Sequence, residues 1–341
     1  MSLLNSNIMK LFKKYSWLLM QLFFLSAFAQ TNIIDSKGFK QGAWKKMDSQ
    51  GKVEYVGVFK NNLPVGTFIY YYPSGRVKAI NIFERAGKRS RIKLFNDNEK
   101  NSLMAVGVYV EQKKDSVWKL YNEDQLLVGE EVYVIGKREG CNKKYFTNGK
   151  LCEVLYWQKG VKQGEWKTYF ESGNPKVEAS YNNGELDNKI IYYFPNGNKE
   201  TEGTYINALK SGDWYYYLQD GRVKMHMQYA NGKIVKEEKI NGVFTDNYPN
   251  DTPREIITWQ NGKKNGPFKL FYEGEYVKEL QKGTDGFPDE TIEYIKEKRI
   301  MGEGEYKDGK LNGKITYYKK DGSIEDVQDF VNGELKSKGK K

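Results

Sequence analysis

A single histidine, His226, stands in the whole chain of 341 residues, and the cysteines number two. One histidine excludes a multi-histidine metal site and leaves a histidine-based triad without its usual partners. His226 lies between Met225 and Met227 in a stretch that alternates apolar and polar residues, so a half-exposed structural place is expected. Sustained helical periodicity is missing beyond the first thirty residues, and no later hydrophobic run matches theirs. A phosphate-cradling glycine loop is missing as well, because the glycine-rich spots fall at recurring turns. Acidic residues are numerous, but no pair stands apart as the acid and base of a glycosidase would. These absences point away from an enzyme: no catalytic, cofactor-binding or metal residue is expected, and no cofactor.

What the chain has instead is a repeat, plainest in SGDWYYYLQDGRVK, residues 211–224. With the glycine two places before the tryptophan as position zero, the frame returns at Gly42, Gly66, Ser90, Ser116, Gly140, Gly164, Asn188 and Gly212, in equal steps save the one from Ser90 to Ser116, which is two places longer. It continues less evenly at Lys236, Gly266, Asp289 and Gly313. Five places past zero stand Met47, Tyr71, Phe95, Tyr121, Tyr145, Tyr169, Tyr193, Tyr217, Asn241, Phe271, Tyr294 and Tyr318. Two places past zero the sequence gives Trp44, Phe68, Ile92, Trp118, Trp166, Ile190, Trp214, Phe268 and Ile315, with Asn142, Glu238 and Thr291 as exceptions. A third aromatic column runs seven places before zero, from Phe59 to Phe330. Internal periodicity of this kind decides the architecture.

Each unit reads as a β-hairpin. Asn-Gly and Asp-Gly pairs recur from Gly149 to Gly333, and a type I′ turn needs positive φ at both central residues. Between them lie segments of about eight residues rich in Tyr, Phe, Val, Ile and Thr. The expectation is all-β: tandem antiparallel hairpins in an elongated, twisted single-sheet solenoid whose units touch only their neighbours. Strict alternation puts positions two and four on one face and position five on the other. Either both faces carry aromatics, or a bulge brings the columns together.

The stretches YNNGELDNKIIYYFPNGNKE, residues 181–200, and WQKGVKQGEWKTYFESGNPKVE, residues 157–178, resemble the MORN repeat. The resemblance is closer to the bacterial MORN-variant repeat of proteins catalogued as YwqK-family antitoxins, and it runs over most of 36–337. It implies a run of antiparallel hairpins, and for function a scaffold, a lipid-surface binder or a toxin neutraliser. The units at Lys236 and Asp289 depart from the pattern, and NYPNDTP, Asn247–Pro253, reads as an insertion.

Three segments follow: a signal peptide over 1–29, regular 24-residue repeats over 30–235, and degenerate repeats with a basic tail over 236–341, in the same solenoid. The leader has Lys10, Lys13 and Lys14, an apolar run from Trp17 to Phe28 and small residues before a cleavage point between Ala29 and Gln30. Gln30 is not cysteine, so a lipoprotein is not expected. The chain reads as exported to the periplasm or outer envelope, or secreted. Full-length net charge is +11, of which the leader lysines supply three, so the mature chain keeps an excess of about +8. Lys and Glu alternate between the core columns as a solvated face would, and an exported chain with regularly spaced aromatics argues against nucleic acid.

Cys141 and Cys152 fall on the two arms of one hairpin, displaced diagonally, since the partner facing Cys141 would be near Val154. A disulfide and two half-buried free thiols are both open to them. Three functional readings follow. The first is a protein-binding or scaffold module, with a toxin as one candidate partner. The second is attachment to cell-wall glycan or an anionic lipid surface. The third is a purely structural envelope protein. Where the tryptophan column lapses to Phe or Ile, core packing explains it better than sugar stacking. The structural aromatics to follow are Trp44, Tyr71, Trp118, Tyr121, Tyr145, Trp166, Tyr169, Tyr193, Trp214, Tyr217, Phe271 and Tyr318.

Overall fold

The repeat can be followed strand by strand in a computed structural model, which describes residues 31–281, 290–295 and 298–338. Every regular element among the described residues is a β-strand, as the hairpin reading requires. The expected leader, the cleavage point at Ala29 and Gln30, the unit origin at Asp289 and the last three residues of the basic tail lie outside the described residues. Two compact units divide the chain: residues 1–150 with 157–160, and residues 151–156 with 161–341.

The regular hairpin is clearest in the second unit, where Lys199–Ile206, Leu209–Tyr217 and Val223–Ala230 pair antiparallel in succession. Two kinds of turn alternate. The short one, Asn231-Gly232, has φ of 49° and 77°, which only the I′ geometry accepts and which Asn and Gly tolerate best. The long one spans Leu218–Arg222, closed by the Leu218 N–H on the Arg222 carbonyl at 2.9 Å. Gly212 is neither. It sits inside a strand at φ 65°, and the register there places Glu202 opposite Tyr215 but Thr204 opposite Ser211. The three residues Gly212–Trp214 therefore bulge against Gly203 alone. Asn-Gly pairs ending at Gly266 and Gly313 hold this bulge too, and the one ending at Gly242 opens a strand, so none of the three is a hairpin turn, contrary to the expectation from the sequence.

The bulge does not bring the columns together. Trp214 and Tyr216 pack on one face with Tyr205 and Tyr229, whereas the Tyr217 hydroxyl reaches Glu202 on the other. Both faces carry aromatics, which is the first of the two alternatives.

In the first unit the same succession runs from Lys40–Met47 to Gly140–Tyr145. The one longer step of the repeat is absorbed in a turn, where Phe95 faces Leu103. Ser102, 3 % exposed, accepts hydrogen bonds from the Asn96 and Asn98 amides inside it, each 2.9 Å long. One hairpin of this unit has no bulge. Val77–Glu84 and Arg89–Phe95 pair in unbroken register from Ala79–Leu94 to Glu84–Arg89, with the spare residues displaced into a wide loop, Arg85–Lys88.

Past Lys233–Lys239 the ladder of the second unit breaks. Ile240 and Asn241 both donate their N–H to the Lys224 carbonyl, and the Asn241 side chain donates to Val223 and accepts from the Asn261 N–H. A seven-stranded sheet then begins at Gly242–Asn247. Gly242 faces Trp259 as Gly212 faces Tyr229, so the frame resumes at Gly242 and not at Lys236, one regular step before Gly266. Lys263–Phe271 pairs directly with Ile300–Lys307, while Tyr276–Gln281 and Glu290–Ile295 form a separate two-stranded sheet. Residues 272–299 thus stand where a long turn stands elsewhere. The unit read from the sequence at Asp289 is an inserted hairpin.

Candidate interaction site

The position-two column is the core. Phe68, Trp118, Ile190, Trp214 and Ile315 are each exposed by 1 % or less. What makes room for the large rings is a glycine nine places before zero, which the sequence reading missed. A Cβ built on Gly57, Gly107 or Gly203 would fall inside the ring of Phe68, Trp118 or Trp214 respectively. Ala179 stands in that place for Ile190 and Asn81 for Ile92, but the exchange is not general: Gly304 stands there for Ile315, Ile257 for Phe268 and Leu155 for Trp166. Rings from the third column flank the core ring edge-on, with Tyr205 5.2 Å and Tyr229 5.9 Å from Trp214, an arrangement worth about 0.5–1.5 kcal/mol per pair beyond burial.

In several units a cation, two places before zero, lies over the ring cluster. Lys210 stands 4.2 Å above Trp214, Lys114 4.4 Å above Trp118, Lys40 4.6 Å above Trp44, Lys162 4.7 Å above Tyr181, and Arg138 4.9 Å above Trp157. These basic residues are not free solvated charges: they cover aromatic faces, at about 0.5–2 kcal/mol each. They were hidden in the sequence because Lys and Glu alternate nearly everywhere.

On the opposite face the position-five tyrosines are half-buried and meet a glutamate fifteen residues earlier. Tyr145 donates to Glu130, Tyr193 to Glu178, Tyr217 to Glu202 and Tyr318 to Glu303. Burial and the Glu178 carboxylate push the Tyr193 phenol up to about 12. Burial alone would raise Glu202, but hydrogen bonds from Tyr217, Lys189 and Lys199 override it and hold the carboxyl at about 2. Tyr71, Tyr121 and Tyr169 are half-buried too, with Val56, Val106 and Val154 fifteen places earlier where the other units carry the glutamate. Phe271 is buried, 3 % exposed. Trp44 is half-buried against Phe59, and Trp166 is half-buried and donates to Glu153. Cys141 and Cys152 are half-buried and are not joined to each other in this structure.

His226, expected as structural, stacks on Tyr215 at 4.8 Å, with Glu238 and Asp213 2.8 and 2.9 Å from its two ring nitrogens. Those two carboxylates raise its pKa, Glu238 the more strongly. No group of three metal-ligating side chains occurs among the described residues.

The packing is incomplete at one of the hairpins of the first unit. Over the hairpin without a bulge lies a groove of about 750 Å³, walled by Leu63, Pro64, Tyr70, Phe83 and Tyr109. On its floor is Asn81, 8 % exposed, whose Oδ1 has no hydrogen-bond partner. Ser90, Lys88, Glu111 and Gln112 also line it. The cause is local. Ser90 replaces the bulge glycine and keeps φ negative, Asn81 replaces the opposing glycine, and Ile92 is too small to fill the space that an indole fills elsewhere. A lost bulge could be suspected from Ser90, but the hollow itself needs the register and was not legible.

Residues 138–159, 162–183 and 186–207 match the family described as MORN repeat variant, so the chain carries tandem repeats of that description. No curated protein matches the chain. Among solved structures it is similar to TarM of S. aureus, in complex with fondaparinux, alpha-GlcNAc-glycerol and UDP, at 12 % identity over 36 % of this chain and 21 % of that one, with a TM-score of 0.23. A second likeness is to the Photorhabdus luminescens Tc holotoxin pore, at 11 % identity over 88 % of this chain and 17 % of that one, with a TM-score of 0.17. A third is to a porin-like protein from Bacteroides uniformis, at 6 % identity over 74 % and 92 % of the two chains, with a TM-score of 0.15. The chain thus spans about a fifth of the length of the first two. Likenesses this weak carry no conclusion about function.

Proposed function

We propose that the chain is an exported, non-catalytic binding module for a protein partner. The observation that supports this most is the allocation of the aromatics. Rings that a glycan-stacking surface would present are enclosed between flanking rings and basic side chains, with Trp118 and Trp214 exposed by 1 % or less. Repeats of this architecture generally serve as extended surfaces for macromolecular partners. The groove over Asn81, where the packing leaves buried polar chemistry unmet, is the contact site of this reading. A toxin is one kind of partner, in line with the antitoxin resemblance of the repeat. Nucleic acid does not fit an exported chain, and a cofactor has no part here.

Affinity capture from the envelope of the producing cells, beside sedimentation with purified peptidoglycan and with anionic liposomes, tests the reading. One protein enriched in stoichiometric amount, without sedimentation, is the expected result. Sedimentation with glycan or lipid and no captured protein would replace the reading with surface attachment.

A further inference from the structure

Trp118 and Trp214 show what this fold builds around an indole. A ring of the third column stands on either side, Tyr109 and Tyr133 for Trp118, and Tyr205 and Tyr229 for Trp214. A lysine lies over the face. The indole N–H is satisfied by an acceptor on the neighbouring strand: Nε1 of Trp118 donates to the Val108 carbonyl at 3.1 Å and Nε1 of Trp214 to the Thr204 carbonyl at 3.3 Å.

The groove repeats these parts without the indole. Phe83 and Tyr109 hold the flanking places, Lys88 holds the place of the lysine, and Asn81 Oδ1 is an acceptor with no donor. Ile92 stands where the tryptophan would, paired directly with Asn81. An unpaired buried acceptor is costly, and any occupant that leaves it unpaired gains little from entering. A purely aliphatic side chain leaves it unpaired. The flanking rings Phe83 and Tyr109 favour a flat aromatic occupant, while Ser90, Lys88, Glu111 and Gln112 would also offer partners to a sugar, which the test below therefore includes.

We propose that the groove over Asn81 is a socket for a tryptophan side chain of the partner protein, its indole lying between Phe83 and Tyr109 and its N–H donating to Asn81 Oδ1 once the Asn81 side chain turns that oxygen, closed to solvent in the free chain, into the groove. The inference rests on the protein-partner reading and gives that partner's anchor. Indole rings are frequent anchors of this sort, filling a desolvated pocket at the centre of an interface.

The test uses the full mature chain with N-acetyltryptophanamide as probe, followed by calorimetry or by chemical-shift changes. Saturable binding in the millimolar range is expected of so small a ligand. The 1-methylindole analogue, which lacks the donor, should bind about tenfold more weakly to the unaltered chain, the loss of one hydrogen bond to a buried acceptor. The triple variant Asn81→Gly, Ser90→Gly, Ile92→Trp restores the regular unit and should abolish binding while keeping the fold. Equal affinity for the methylated probe, undiminished binding by the filled variant, or no saturable binding of the probe would each overturn the socket. Binding of chitotetraose that is lost on filling, in place of the indole, would overturn it in favour of glycan. An envelope protein captured equally by the unaltered and filled chains would overturn the socket and leave the protein-binding reading standing. Indole binding lost on filling, with no protein captured, would support the socket and count against that reading.

Discussion

Trp214 and Gly203 act as one packing element divided between two strands, and so do Trp118 with Gly107 and Phe68 with Gly57. Gly203→Ala should therefore destabilise by overpacking, by about 1–3 kcal/mol. Adding Trp214→Ile rebuilds the native pairing of Ala179 with Ile190 and should recover most of the loss, read as the shift in urea midpoint; no recovery would show that the two sites are independent. The aromatic member of this pair was legible because its column repeats. Its glycine partner was not, since glycines also mark every turn. Nor was the Tyr–Glu spacing, which drowns among alternating charges. Glu202 supplies a second prediction. Its folded pKa of about 2 lies below the ordinary 4.5, so its contribution is complete above pH 4.5 and is lost as pH falls toward 2. In Tyr217→Phe one donor is gone, and the Glu202 carboxyl followed by NMR should titrate closer to 4.5 than in the unaltered chain. Titration at an unchanged value would deny the hydroxyl its role.

Strand Lys233–Lys239 shows the same physics acting on an element. Six of its seven residues are exposed, and it closes the ladder before the break at Ile240. His226 ties it down through Glu238 and reaches Asp213 on the other side, while Lys236 also engages Glu238. The His226 pKa is raised above 6.5 by these carboxylates, so the tie is fully present below pH 6.5 and is lost as pH rises through the folded value. Amide protection of 233–239, corrected for intrinsic rates, should be weaker at high pH, and His226→Gln should remove that dependence. Protection that does not change with pH would assign the strand to its backbone ladder alone. The inserted hairpin gives a fourth prediction. Because Lys263–Phe271 pairs directly with Ile300–Lys307, replacing residues 272–299 with the Leu218–Arg222 turn should leave the exchange protection of both strands intact. Lost protection would make the insertion part of the sheet's support. The sequence misplaced this element because the distance from Gly266 to Asp289 falls just one place short of a regular step and passes for a repeat.

At the scale of the molecule, the repeat absorbs its irregularities locally. Two extra residues go into the turn at 96–102, the frame shift into the bend at Ile240–Asn241, and a whole hairpin into one long turn, while the register beside each is kept. That is the behaviour of a nearest-neighbour array. It also explains what could be read in advance. The hairpin ladder was legible because many units vote for the same columns, whereas Lys236 was mistaken for a unit origin because it falls one regular step after Gly212. The groove arises from three substitutions acting together through register, which no single column reveals.

The account depends on the core rings joining neighbouring strands. Hydrogen–deuterium exchange of Trp214→Ala against the unaltered chain tests this most directly, because in such an array the loss should stay near the removed ring. Protection should fall across Lys199–Ala230 and remain unchanged across Lys40–Phe95. Unaltered exchange across Lys199–Ala230 would contradict the account.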